Sequence, residues 1–269
     1  TPHGITPFTG MDEVINRLKN AGLEEKINPV KEVEEEPEVQ KEESVEDEKW
    51  RHQQLAADLF LANKDDSISI APKPAGRQGI LCMATGSGKT RTTVEKIINK
   101  MIDDDIIDQV IVTTNSARTI LPQWDEDFKT FCPDMITFHH YKRNKQMSDF
   151  EISRYKPKAL LTSIDGFQKF LENNPDYDLE RCLLVVDECH NFRGEEHRKK
   201  MVKQYHRFQY RLGLSATPYS AWSKEANDFL DEKIGDIFFE FTVEEAIRKH
   251  ILVPFKYEKV YWTPTEEDA

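Results

Sequence analysis

The chain has 269 residues, enough for one large or two small domains, and a net charge of −12. That balance excludes a uniformly basic nucleic-acid binder, though it leaves room for a local basic strip. The four cysteines form no framework and no apolar stretch reaches the ~18 residues of a membrane span. Composition therefore points to a reducing intracellular compartment, with no membrane partner.

In chain order, residues 1–30 read as an N-terminal helical segment: Met11 to Leu18, with Leu23, has an amphipathic pattern. It suits the tail of an upstream domain or a docking segment. Residues 31–49 hold ten acidic and three basic residues, with Pro37 and no aromatic, and read as an acidic linker. Screening of a DNA groove is the alternative use of such a segment. The main domain is expected over 50–235. Within it, 62–78, with Pro72, Pro74 and Gly76, reads as a surface loop.

The apolar run Ile80-Leu81-Cys82-Met83-Ala84 predicts a buried strand. It enters Thr85-Gly86-Ser87-Gly88-Lys89-Thr90-Arg91 and then a segment of helical spacing. Strand, glycine loop, helix is the setting of a phosphate loop. Backbone N–H groups of such a loop cradle phosphates, and the helix N-terminus adds partial positive charge. Lys89 is the residue expected to reach the β- and γ-phosphates of ATP, and Thr90 to place its hydroxyl on Mg²⁺. Ala84 stands where the strict pattern has glycine.

A second apolar run, Cys182 to Val186, ends on Asp187-Glu188-Cys189-His190, 97 residues beyond Thr90. A carboxylate at the C-terminal end of a parallel strand faces the ligand crevice of an α/β protein. Asp187 is the expected metal ligand opposite Thr90, and Glu188 the general base for an attacking water. His190 is placed to couple this box to later residues. No CxxC or HxxxH pair accompanies Cys189, which reads as a small filler rather than a zinc ligand.

Strands are predicted near 79–84, 109–114, 135–140, 158–163, 182–187 and 209–214. Helices are predicted near 89–103, 116–130, 164–173 and 195–206. The alternation argues for a mostly parallel sheet with helices on both faces. Residues 219–235 read as a mobile linker and 236–269 as a connector.

With these residues in place, the chain resembles the superfamily 2 helicases and translocases of the DEAD/DEAH type. The run Arg211-Leu-Gly-Leu-Ser-Ala-Thr-Pro218 looks like motif III, in which Ser215, Ala216 and Thr217 would link ATP hydrolysis to nucleic-acid binding. Val112-Thr113-Thr114 with Leu121-Pro122-Gln123-Trp124 and Phe128 looks like motif Ia. Leu161-Thr162-Ser163 with Phe167 looks like motif Ib. Arg51 to Ala57 resembles the upstream glutamine motif, in which Gln54 would read the adenine edge; a charged helix containing glutamines is the plainer alternative.

The motif III string is similar to the branch holding XPB-type helicases, UvrB-like proteins and restriction-enzyme motor subunits. The resemblance implies a RecA-like P-loop NTPase domain, an ATP hydrolase that uses Mg²⁺, and DNA, duplex or single-stranded, rather than RNA as partner. It implies nucleic-acid contacts through Thr113, Thr114, Ser116, Arg118, Thr162 and Ser163, although Ser116 and Ser163 equally suit helix caps. The basic runs 142–145 and 197–207 suit either a DNA path or solvated helix faces.

Family members pair two RecA-like domains around ATP. The 51 residues after Pro218 are too few for a second domain of about 150 residues, so 236–269 is expected to lead toward a missing one, supplied in cis or in trans. The chain thus reads as a fragment, expected to bind ATP weakly and hydrolyse it slowly by itself. The leading function is an ATP-dependent DNA helicase or translocase. The alternatives are the motor of a restriction or phage-defence system and an ATP-dependent binding module. Ser215-Ala216-Thr217 and the absence of a Leu-Ser-Gly-Gly-Gln signature argue against other P-loop enzymes such as kinases and transporters.

Overall fold

The computed structural model describes residues 45–62, 76–141, 145–201, 204–256 and 258. The expected helix within 1–30, most of the acidic segment and Lys142 to Asn144 lie outside the described residues.

Among the described residues, seven parallel strands form one sheet: β1 (Gln78–Met83), β2 (Gln109–Thr114), β3 (Ile136–His140), β4 (Lys158–Ser163), β5 (Cys182–Asp187), β6 (Tyr210–Ser215) and β7 (Ile237–Phe241). They lie in the order β3-β4-β2-β5-β6-β1-β7. This is the parallel α/β arrangement expected from the alternating elements, and the RecA-like one that the resemblance implies.

The helices are α1 (Val45–Leu61), α2, α3 (Ala117–Phe131), α4 (Met147–Ile152), α5 (Ile164–Asn173), α6 (Glu195–Met201), α7 (Lys224–Lys233) and α8 (Val243–Arg248). Helix α2 has three consecutive parts, Lys89–Arg91, Thr92–Ile98 and Asn99–Asp103, the middle one wound as a π-helix. None of the described helices is long and apolar enough to cross a membrane.

The central strands β2, β4 and β5 are buried almost throughout because both faces are covered. Their two-residue period divides each run between two cores. Val110, Val112, Ala159, Leu161, Leu183 and Val185 join residues of α1, α2 and α3 on one face. Ile111, Leu160, Leu184 and Val186 join residues of α4, α5 and α7 on the other. Each such buried side chain contributes about 1.5–3 kcal/mol of transfer free energy. Polar residues at edges are satisfied locally: Asp125 on α3 meets Thr137 at 2.8 Å and His139 at 2.9 Å, tying edge strand β3 to its covering helix.

The structure differs from the sequence expectations in several places. Val45–Leu61 is helical, so regular structure begins inside the segment read as an acidic linker. Met147–Ile152 is a helix that the sequence does not announce, too short for periodicity to resolve. Lys224–Lys233, expected to be a mobile linker, is a helix capped by Ser223 and seated through Ala226, Phe229 and Leu230. Ile237–Phe241, expected in a connector, is the seventh strand, paired with β1. Its five residues, Ile-Phe-Phe-Glu-Phe, are too short an apolar run for periodicity alone to assign.

The β1–β7 pairing depends on a close backbone approach. Gly235 has φ +126°, and a Cβ there would lie 2.9 Å from the nitrogen and Cα of Gly79. Both the dihedral and the space exclude a side chain. Gly235→Ala is expected to destabilise the domain by about 2 kcal/mol or more, read as a lower urea midpoint at unchanged slope. An unchanged midpoint would show that β7 separates from β1 at little cost.

Candidate active site

Parallel strands in register carry the sequence motifs to one edge. Cys82 pairs with Ser215, Leu214 with Asp187, Asp187 with Thr114, and Thr114 with Ser163. Motifs separated by up to 133 residues thus end level with one another, at the edge where α/β proteins hold ligands.

The phosphate loop leaves β1 through Gly86 at φ +84° and Gly88 at φ +92°. Ser87 is fully buried between them, its hydroxyl donating to the Ala84 carbonyl at 2.6 Å. Two residues of α1 meet the loop from outside the sheet. Gln53 Nε2 donates to the Ser87 carbonyl at 3.3 Å, and His52 Nε2 lies 3.1 Å from the same oxygen. A Cβ on Gly88 would fall 2.3 Å from Gln53 Nε2. His52 also stacks on Phe241 of β7 at 4.1 Å between ring centroids. Burial pulls its imidazole below the ordinary value, so the neutral ring donates Nε2–H to the carbonyl.

Gln54, singled out in the sequence for adenine recognition, is exposed and bonded to Asp58 at 2.8 Å. The neighbours His52 and Gln53 are the residues that touch the loop. The sequence shows that this segment matters but not the helical phase that selects which glutamine turns inward.

Lys89 donates to the Met83 carbonyl at 2.9 Å, holding its ammonium over the end of β1. Burial pulls its pKa below the ordinary range, while Glu188 and Asp187 pull it back up. Thr90 is half-buried on the first turn of α2; Thr85 and Arg91 are exposed, Arg91 pairing with Glu95 at 2.7 Å.

Asp187 is 5% exposed. Its two oxygens accept from Trp124 Nε1 at 2.8 Å and from the Glu188 backbone N–H at 2.9 Å. Burial raises its pKa; the Trp124 bond opposes that rise and the Glu188 charge adds to it. Trp124 is fully buried on α3. Its anchoring of the acidic box is a role that the sequence does not reveal, since a buried tryptophan in a helix reads first as core.

Glu188 sits at φ +52°, ψ +51°, a left-handed conformation costing a non-glycine residue about 1 kcal/mol. The bend directs the chain into the 3₁₀ turn Cys189–Arg193. His190 Nδ1 then lies 3.2 Å from Glu188 Oε2 and 3.0 Å from Ser215 Oγ. Ser215 Oγ in turn accepts from the Thr217 N–H at 3.1 Å. A polar path therefore joins the acidic box to the Ser-Ala-Thr segment through His190.

Cys189 is fully buried, and burial holds its thiol far above the ordinary range. It packs where a Cβ on Gly213 would come within 3.2 Å of its sulfur. The four cysteines are all free and buried.

The residues expected to touch nucleic acid divide into two groups. Thr113, Thr114 and Thr162 have buried side chains, so their hydroxyls do not face solvent. Ser116, Arg118 and Ser163 line an open groove of about 480 Å³ with Asn115, Thr119 and Tyr141. Ser163 also caps α5, accepting from the Gly166 N–H at 3.2 Å, whereas Ser116 makes no such side-chain cap on α3. Ser215 is buried, and Thr217 is exposed.

Among the described residues of the basic run 197–207, some turn inward. His197 bonds Gln168 and the Tyr205 hydroxyl, and Arg207 donates to the carbonyls of Leu171, Asn174 and Tyr177.

The model of the family described as Type III restriction enzyme, res subunit, matches residues 40–220, well over half of the chain. The chain belongs to the ResIII family. Its matched span holds the glutamine-bearing helix, the phosphate loop, the acidic box and the Ser-Ala-Thr segment.

This ResIII domain is 24% identical over 187 residues to the type I restriction enzyme SsaAORF53P endonuclease subunit of Staphylococcus saprophyticus, covering 61% of this chain and 19% of that protein. It is 24% identical over 197 residues to the EcoAI endonuclease subunit of Escherichia coli, covering 70% and 23%. Helicase SWR1 of Cryptococcus neoformans is 23% identical over 141 residues, covering 52% and 11%. The chain thus spans about a fifth of the length of the type I subunits that it matches. Among solved structures, the Hef helicase domain of Pyrococcus furiosus superposes with a TM-score of 0.46 at 19% identity, covering 62% of this chain and 34% of that one. The UvsW helicase of bacteriophage T4 superposes with a TM-score of 0.46 at 14% identity, covering 61% and 55%. The ResIII domain is a helicase-like, ATPase-type domain related to superfamily 2 helicases and to restriction motor subunits.

Removing the Trp124 donor tests how far the acidic box depends on it. Trp124→Phe leaves one oxygen of a buried carboxylate unsatisfied and is expected to cost about 2–3 kcal/mol near neutral pH. The Asp187 pKa in the folded state already lies above its ordinary value, so a carboxylate that has lost this bond loses stability as pH rises through that pKa. The cost should therefore be smaller at acid than at neutral pH, measured by denaturation at both pH values. An equal cost at both would mean that lost packing, not the charge, explains it.

Proposed function

We propose that this domain binds ATP–Mg²⁺ and, with a second RecA-like domain in cis or in trans, hydrolyses it to drive movement along DNA. The observation that carries this reading is the placement of Lys89, Asp187, Glu188 and Ser215 at one sheet edge, with His190 between Glu188 and Ser215.

The residues fit the ligand. Two glycines in the left-handed region and a buried serine shape the loop, and a Cβ on Gly86 would already press on Leu252 at 3.2 Å. An ammonium at the strand end suits phosphate oxygens. The Thr90 hydroxyl and the Asp187 carboxylate are the oxygen donors that would hold Mg²⁺. When bound, the ion neutralises charge on the phosphates.

In this reading Trp124 orients the Asp187 carboxylate, and Glu188 accepts a proton from the attacking water. His190 shares its Nδ1 between Glu188 and Ser215, so a proton gained or lost at Glu188 changes the bond to Ser215. The groove at Ser116, Arg118 and Ser163 supplies hydroxyls and one cation to the sugar–phosphate backbone. DNA is the assigned substrate because the motif III string is similar to the branch acting mostly on duplexes.

Similarity to type I endonuclease subunits favours a second reading, in which the domain is the motor of a restriction or phage-defence assembly. Domain limits of 50–235, with a connector beyond, belong to the proposal and are modified by β7.

The test is nucleotide binding and turnover on this chain and on the chain joined to a second RecA-like domain. Lys89→Ala is expected to weaken ATP binding at least about tenfold. Glu188→Gln should keep ATP affinity and lower turnover by about 10²–10⁴. Wild-type affinity in the first variant or wild-type turnover in the second would overturn those roles. Separate arms with duplex DNA, single-stranded DNA and RNA test the substrate; stimulation by RNA alone, or by none, would overturn the DNA assignment.

A further inference from the structure

One side chain joins the acidic box to the segment leaving β6 without belonging to any of the motifs above. Arg193 closes the 3₁₀ turn Cys189–Arg193. Its Nε donates to the His190 carbonyl at 2.8 Å, and its Nη1 donates to the Pro218 carbonyl at 2.9 Å. A guanidinium is a rigid planar fork, so two bonds from one head fix the relative placement of their acceptors. The acceptors here are the backbone of the coupling histidine and the backbone immediately after Ser215-Ala216-Thr217.

The segment beyond Pro218 is braced in turn. Tyr219 donates its hydroxyl to Asp231 of α7. Ser220 and Asn227 exchange two bonds: the Ser220 N–H donates to Asn227 Oδ1 at 2.8 Å, and Asn227 Nδ2 donates to the Ser220 carbonyl at 2.9 Å. The Trp222 N–H donates to Ser220 Oγ at 3.2 Å, and Ser223 caps α7. Between these anchors Trp222 is 95% exposed. A tied backbone holding a bare indole in water moves as a unit when its base moves.

We propose that Arg193 is a positioning residue that transmits the state of the Glu188–His190 turn to the Pro218–Ser223 segment. It does so by holding the His190 and Pro218 carbonyls at fixed spacing. The Glu188–His190–Ser215 path runs through side chains. The Arg193 brace is a second, backbone-to-backbone link, and it moves the loop carrying Trp222 rather than the Ser-Ala-Thr hydroxyls. The proposal rests on the reading that ATP–Mg²⁺ binds at Lys89 and Asp187.

Because the four native cysteines are buried, Trp222→Cys creates a selectively reactive surface thiol for an environment-sensitive dye. The labelled protein is titrated with ATP–Mg²⁺ alone, in the Arg193, Arg193→Lys and Arg193→Ala backgrounds. ATP affinity is measured in parallel with a fluorescent nucleotide analogue. The dye is expected to respond in the Arg193 background. The response should fall about threefold or more in Arg193→Ala at nearly unchanged affinity, reflecting loss of two charge-assisted bonds. Arg193→Lys, with one ammonium and no fixed spacing, should also lose most of it, and it decides the matter if Arg193→Ala melts early. A full response in either folded variant, or a response that falls only in step with affinity, would overturn the proposal. A dye that stays silent while the Arg193 protein binds ATP would do the same. Absence of ATP binding by the Arg193 protein would instead refute the phosphate-loop reading, and the brace's coupling role with it.

Discussion

The Asp187 carboxylate is taken out of water at the end of β5, and much of the site answers that constraint. An isolated buried anion costs several kcal/mol unless it is paired and hydrogen-bonded. Trp124 and the Glu188 backbone supply the bonds, and the Lys89 ammonium supplies nearby positive charge. The Trp124 bond requires α3 to cross the sheet at one place, and Lys89 requires the loop of β1 to end level with β5. Burial pushes the Asp187 pKa upward and the Lys89 pKa downward, the kind of perturbation that marks a candidate functional site.

The same edge explains why the Ser-Ala-Thr segment must be adjacent. In the strand order, β6 lies between β1 and β5, so Ser215 stands between the phosphate loop and the acidic box. His190 reaches Ser215 because the left-handed Glu188 turns the chain back over the sheet edge. A residue held in that region despite its cost is over-determined by its surroundings. Here those are the bond from its own N–H to Asp187 and the bond from the Asn191 N–H to its carbonyl.

Sequence periodicity identifies β2, β4 and β5 at their exact limits because fully buried parallel strands leave unbroken apolar runs. The phosphate loop, the acidic box and their shared edge are equally legible, since glycine, lysine and paired carboxylates at strand ends have few other uses. Strand β7 is missed because an edge strand rich in phenylalanine carries a weak periodic signal. Helix α7 is missed because its charges mask three buried residues. Within the site, the sequence places a glutamine near the loop but not the phase that turns Gln53 rather than Gln54 inward. Trp124 and Arg193 act through tertiary contacts spanning 63 and 25 residues, which no local pattern encodes. The hydroxyls of Thr113 and Thr162 suit a backbone contact by type, yet both faces of β2 and β4 are covered, so the side chains are buried.

The stacking of His52 on Phe241 has a consequence for how the domain comes together during synthesis. The glycine loop at Gly86 to Gly88 is flanked by one helix made before it and one strand made about 150 residues later. Contacts so distant along the chain form late, because the intervening loop entropy must be overcome first. As the nascent chain lengthens, the central strands can pair while the glycine loop still lacks the His52 and Phe241 contacts that frame it. Framing of the glycine loop would then follow emergence of β7, and the growing polypeptide would hold the other six strands before that loop is held from both sides.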